Sequence, residues 1–245
     1  ALAVIARRAP AADSTFAALQ AALASADLRD RQQAVAVLGT LTDARAQTLS
    51  NTLLDDWQAD TLPPGLRLDV ADAVRAQKAK QQLARLDALE KKLAKSAPLG
   101  LASLALEGGD ADAGAAIFTG GAAISCLQCH TLGAGNAVGP DLLHVASRLD
   151  RGHLLSSMID PQADIADGFG MITIVLADGG LVAGVLVGET PEALRVRGPA
   201  GGEPQIVPKA KITQRSKVVS VMPPIGTLLS RGEIRNLVAF LATLK

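Results

Sequence analysis

The 245-residue chain contains no tyrosine, one tryptophan (Trp57) and four phenylalanines. A core this poor in aromatics has to be filled by aliphatic side chains, and the hydrophobic half of the composition is nearly all Ala, Leu and Val. Ala and Leu head the scale of intrinsic helix propensity, so packed helices are the expected framework. Net charge is missing too, because 24 basic residues balance 24 acidic ones. Without a clustered basic excess the chain lacks the electrostatic footprint of a nucleic-acid binder. No apolar run approaches the ~18–20 residues of a membrane span. The chain begins at Ala1 without a methionine, from which we expect an upstream segment to have been removed. The apolar residues Leu2 to Ala6 are too few to form a signal-peptide core by themselves.

Cysteine is scarce and its placement is informative. The only two stand in Cys126-Leu127-Gln128-Cys129-His130, a C-x-x-C-H string that reads as attachment of a c-type haem. Both thiols become thioethers to the porphyrin, and the adjacent His130 offers its ring nitrogen to the iron. One haem per chain accounts for both cysteines. A zinc site would need four ligands, and only His144 and His153 remain to supplement the three. A thioredoxin-like pair belongs in a βαβ pattern, which the surrounding sequence lacks.

Gly133, Gly135 and Gly139-Pro140 follow as a loop ending in a rigid corner. A backbone carbonyl there is a candidate acceptor for the remaining N–H of His130, which would set its tautomer and strengthen it as a ligand. Five side chains compete for the sixth position on the iron: Met158, Met171, Met222, His144 and His153. Met158 lies on a helical apolar face and Met171 opens a strand, so both read as packing. His144 follows Pro140 by only four residues, on the proximal side, and His153 reads as an exposed helix residue. Met222 differs, since Ser220-Val221-Met222-Pro223-Pro224 is non-helical and stiffened by two prolines. Arg148 is a candidate partner for a haem propionate, because a guanidinium matches carboxylate geometry.

Along the chain, residues 1–97 show helical periodicity. Asp13 or Ser14 opens a helix bearing Phe16, Leu19 and Leu23. A second follows Asp30 with Ala34, Val35 and Leu38 and stops at Gly39. Thr42 caps a third, with Leu53, Leu54 and Trp57 on one side. Pro63-Pro64-Gly65 then breaks the chain before a helix that begins near Leu66 and is expected to continue to Lys95. Such helix pairs with short turns are similar to HEAT-type repeats, whose neighbours bury one another's faces. The second domain is expected over residues 98–245. In it, Met171–Leu176 and Leu181–Val187 read as strands about an Asp178-Gly179-Gly180 turn, Val187 closing a strand interrupted by Gly184. Leu194–Arg197, Gln205–Val207 and Lys211–Thr213 are further short strands. Ser230-Arg231-Gly232-Glu233 reads as a capping box for a terminal helix with Ile234, Leu237, Val238 and Leu241 inward.

Several of these strings occur in the order Gly114-x-x-x-Phe118, Cys126-x-x-Cys129-His130, Gly139-Pro140-Asp141-Leu142, Asp160-Pro161, Asp178-Gly179 and Ser220-x-Met222-Pro223. With Leu237-Val238-x-Phe240-Leu241, they make the stretch from about Asp110 to Lys245 resemble the planctomycete-type haem-binding domains found at the C-termini of sugar-dehydrogenase-like proteins. HEAT-like helices commonly precede the haem domain there. The resemblance, and the likeness to class I cytochromes c within it, implies a mainly α chain: HEAT-like hairpins, then a cytochrome c-like helical domain with a small antiparallel β insertion at about 170–215. It also implies that Pro140 supplies the carbonyl to His130 and that Met222 is the second axial ligand. Phe240 stands where Tyr or Phe is usual.

The function expected from this is relay of single electrons by a His/Met-ligated haem c, rather than catalysis by the chain itself. The donor implied is a fused or partner domain similar to quinone-dependent sugar dehydrogenases, with an acceptor the sequence does not name. The compartment implied is periplasmic or extracellular. The alternatives are a haem enzyme or a gas or redox sensor with an open or labile sixth position, and an interaction scaffold that uses the helical half.

Overall fold

In a computed structural model, residues 2–10, 12–121, 125–133, 138–198 and 201–245 are described. The chain divides into two compact units, residues 1–114 with 231–240 and residues 115–230 with 241–245.

The first unit begins with six helices: α1 (Leu2–Arg8), α2 (Asp13–Leu23), α3 (Leu28–Gly39), α4 (Ala44–Gln58), α5 (Pro64–Gln77) and α6 (Lys80–Ser96). Their apolar stripes meet in one core that includes Leu19, Val35, Leu38, Leu54, Leu66 and Val74. The caps differ from those the sequence suggests. Asp27, rather than Asp30, accepts the Arg29 amide at the head of α3, and Asp43, rather than Thr42, accepts the Arg45 amide at the head of α4. In both, the carboxylate one residue outside the helix takes a donor that the first turn leaves orphaned. The single helix expected from Leu66 to Lys95 is two. Lys78 adopts a left-handed conformation (φ 57°, ψ 22°) and ends α5, with no glycine or proline to announce the break.

The second unit holds α8 (Arg151–Ile159), which follows the short α7 (Ala111–Ala116), and a five-stranded antiparallel sheet. The strands are β1 (Met171–Leu176), β2 (Leu181–Glu189), β3 (Ala193–Arg197), β4 (Gln205–Pro208) and β5 (Ile212–Arg215), in the spatial order β4-β3-β2-β1-β5. Alternation puts Ile172, Ile174, Leu194, Val196 and Val207 on one buried face, where they form a core of their own. Gly184 does not interrupt β2, which runs through it opposite Ile172.

This corrects the expected fold class. The chain is a mixed α/β protein, not a mainly α cytochrome-like chain with a small β insertion. Among the described residues between 115 and 230, the helical material is the end of α7, α8 and a few single turns, so the sheet is the dominant regular structure there. Each strand is short enough to read as ornament; their assembly around one apolar face is what makes the sheet a core.

The last helix, α9 (Arg231–Leu241), packs within the first unit. It crosses α7 at Gly114, where a Cβ would fall 2.0 Å from the Asn236 carbonyl oxygen and 2.8 Å from Phe240 Cβ. Only glycine lets the two backbones come this close. Asn236 Oδ1 accepts the Asp110 amide at 2.8 Å, while Asp110 Oδ1 accepts the amides of Asp112 and Ala113 and so caps α7. No helix among the described residues is long and apolar enough to cross a membrane.

Candidate functional site

Ser125 enters extended, and a 3-10 turn over Cys126–Gln128 follows. The turn closes through the amides of Cys129 (3.1 Å) and His130 (2.8 Å), both donating to the Cys126 carbonyl. This curl gathers two thiols and an imidazole from five consecutive residues. Both cysteines are free, Cys126 half-buried and Cys129 exposed. Burial pushes the Cys126 thiol up, with the neighbouring Cys129 adding to the effect, so at neutral pH it is an uncharged S–H.

His130 is half-buried, and its Nδ1 lies 2.9 Å from the Pro140 carbonyl oxygen. With its proton on Nδ1 the ring donates to Pro140 and keeps the Nε2 lone pair free for a metal. Gly139 makes the approach possible. A Cβ there would sit 2.7 Å from His130 Cε1 and 2.9 Å from Nδ1, and the Gly139 amide donates to the Cys129 carbonyl at 2.7 Å.

Asp141 pins the two ends of this loop together, a role the sequence reading missed. Its Oδ2 accepts from the Thr131 hydroxyl (2.6 Å) and the Gly133 amide (2.7 Å), and its Oδ1 from the Leu143 amide (2.9 Å). The Thr131 hydroxyl foremost, then these amides, hold the Asp141 carboxyl below the usual carboxylate range. An Asp directly after Gly-Pro is the signal that was available, since Asp accepts from nearby amides in turns. Arg148 Nη2 donates to the Asp141 carbonyl oxygen at 3.1 Å. Gly135, named with this loop, lies outside the described residues.

The candidates for a sixth ligand are placed as follows. Met158 is buried in α8. Met171 opens β1, and its backbone pairs with Val219. His144 Nδ1 lies 2.9 Å from the Lys245 carbonyl oxygen, and the exposed His153 lies 3.0 Å from Asp150, the cap of α8. Met222 is half-buried on an irregular segment that makes its hydrogen bonds with Met171 and Gln162. The structure thus brings Cys126, Cys129, His130, Gly139 and Pro140 together as one cluster and seats Met222 on a separate support.

Of the ten large apolar side chains exposed among the described residues, seven fall on two segments. These are Leu127, Leu132, Val138 and Leu143 on the His130 loop, and Val219, Val221 and Leu228 around Met222. Exposed apolar groups concentrated in this way mark a surface that something apolar covers. The apolar groups exposed on the loop that carries Cys126 and Cys129, with the free Nε2 of His130, suit a porphyrin tethered there. Among the described residues, no group of three or more His, Cys, Asp or Glu side chains is arranged to hold a metal ion. No protein-family model matches the chain, and no curated protein matches it.

Proposed function

We propose that the chain carries one haem c through Cys126, Cys129 and His130, with Met222 as the second axial ligand, and that it relays single electrons. The observation carrying this reading is the His130–Pro140 hydrogen bond at 2.9 Å, made beside two free thiols of a C-x-x-C-H string. It aligns one ring nitrogen and frees the other, the arrangement a haem-ligating histidine needs.

When bound, the haem supplies an iron centre that gains and loses one electron. The residues of the chain do the rest. Cys126 and Cys129 would hold the group, each thiol adding its S–H across a vinyl group, sulfur to one carbon and hydrogen to the other. Pro140 and Gly139 hold the His130 ring against rotation, and Asp141 closes the loop behind them. Leu127, Leu132 and Leu143, exposed on the loop that carries His130, would pack against a haem tethered there, and Val221 and Leu228 beside Met222 would do the same once Met222 is a ligand; shielding from water would favour the less charged, reduced form. As a ligand, the Met222 thioether would raise the reduction potential relative to a second histidine and would leave no open coordination position for a substrate.

Electrons would enter and leave beside the exposed Cys129 and Leu127. By the resemblance described above, the donor is a fused or partner domain similar to quinone-dependent sugar dehydrogenases, and the compartment is periplasmic or extracellular. Optical and magnetic spectra of the purified holoprotein test the ligation. They should show low-spin iron and a weak sulfur-to-iron band that Met222→Ala abolishes; high-spin iron in the wild type would count against it.

A further inference from the structure

We infer that the sheet is the platform that presents Met222, and that Gln162 is a positioning residue for it; this rests on the proposed ligand role of Met222.

Three contacts at successive residues seat the segment leading to Met222. At Val218, the chain runs against Gly170, where a Cβ would fall 2.1 Å from Val218 Cγ1 and force that side chain to shift. Gly170 is itself held by the sheet, its carbonyl accepting the Leu186 amide of β2 at 2.8 Å. At Val219, the backbone exchanges two hydrogen bonds with Met171 at the head of β1, at 2.8 and 2.9 Å. At Ser220, the side-chain amide of Gln162 imitates one more strand. Gln162 Nε2 donates to the Ser220 carbonyl at 3.0 Å, and its Oε1 accepts the Ser220 amide at 2.9 Å. The Ser220 hydroxyl then accepts the Met222 amide at 3.2 Å.

From there Pro223 and Pro224 fix their own φ angles, and a 3-10 turn over Ile225–Thr227 takes the chain on toward α9. Met222 therefore sits between a ladder and a pair of prolines. A thioether presented this way loses little conformational freedom on ligation, and a ligand held in place recaptures its metal faster than a loose one. The backbone bridge and the Gly170 contact tie this to the sheet; Gln162 adds the one part of the ladder that a side-chain change can remove alone.

The test is carbon monoxide binding to the ferrous holoprotein, since the gas must displace Met222 to bind. Gln162→Ala removes two hydrogen bonds at the water's edge and should raise the observed binding rate about fivefold. Ser220→Ala, which removes only the hydroxyl, should raise it about twofold. Gln205→Ala on β4 should leave it unchanged. Far-UV circular dichroism and thermal melting check that each variant is folded. If Met222→Ala abolishes the sulfur-to-iron band while Gln162→Ala and Ser220→Ala bind carbon monoxide at the wild-type rate, the platform inference is wrong and the ligand assignment stands. If Met222→Ala leaves the wild-type spectrum intact, the ligand assignment is wrong and the inference falls with it.

Discussion

Asp69 on α5 and Arg235 on α9 form a two-pronged ion pair, Nη1 to Oδ2 at 2.7 Å and Nη2 to Oδ1 at 3.0 Å. Both side chains are nearly buried, 12% and 13% exposed, and they stand 166 residues apart in the chain. With Gly114 against Asn236, the pair ties the C-terminal helix into the first unit.

Removing one partner leaves a charge stranded with little water, so Asp69→Ala should cost about 2–4 kcal/mol of unfolding free energy. Replacing both, with Asp69→Leu and Arg235→Met, should cost less than the single change, because two apolar groups need no partner. Urea unfolding of the single and double variants measures the difference.

Glu189 at the end of β2 joins elements that are not neighbours in the sheet. It accepts from Lys209 Nζ at 2.6 Å, just after β4, and from Arg215 Nη1 at 3.1 Å on β5. Lys209 chiefly, and then Arg215, hold its carboxyl below the ordinary 4.5. A carboxyl depressed in the folded state stabilises it above the unfolded value. That contribution is lost as pH falls from about 4.5 through the lower folded value. Thermal melts between neutral pH and pH 3 should show a steeper acid decline for the wild type than for Glu189→Gln. The variant should melt lower at neutral pH, and parallel curves would refute the linkage.

Asp141→Ala should loosen the proximal loop without unfolding the protein. Gly133 and Leu143 lose the carboxylate that accepts their amide protons, and hydrogen exchange at both should quicken about tenfold or more. Exchange in the sheet core at Ile172 and Ile174 should stay as it is, since those residues belong to a separate cluster. Uniformly faster exchange would mean that Asp141 supports the whole unit rather than the loop.

The sequence made the individual elements legible better than their assembly. A run of β-forming residues located β1, alternation located β3, and Asp178-Gly179-Gly180 marked the β1–β2 turn, where Gly179 has φ +85° and Asp178 accepts the Gly180 amide. The spatial order was not readable, because β5 pairs with β1 from well over thirty residues away and no local pattern encodes that choice. That is why five short strands passed for an insertion. At the site, the pentad and Gly139-Pro140 carry their chemistry in residue type and spacing. Gln162 carries none: an exposed glutamine after a proline becomes meaningful only once Ser220 is folded against it. Lys78 likewise breaks a helix without any of the residues that usually do so.

Covalent attachment of a haem through Cys126 and Cys129, with His130 as its ligand, underlies every other step. It is tested most directly by the intact mass and absorption spectrum of the chain, purified under denaturing conditions after expression alongside a c-type haem-attachment system. The expected result is a mass increase of one haem that survives denaturation, localised to the peptide containing Cys126 and Cys129 and lost when both are changed to alanine. A chain recovered at its polypeptide mass, with no visible absorption, would contradict it.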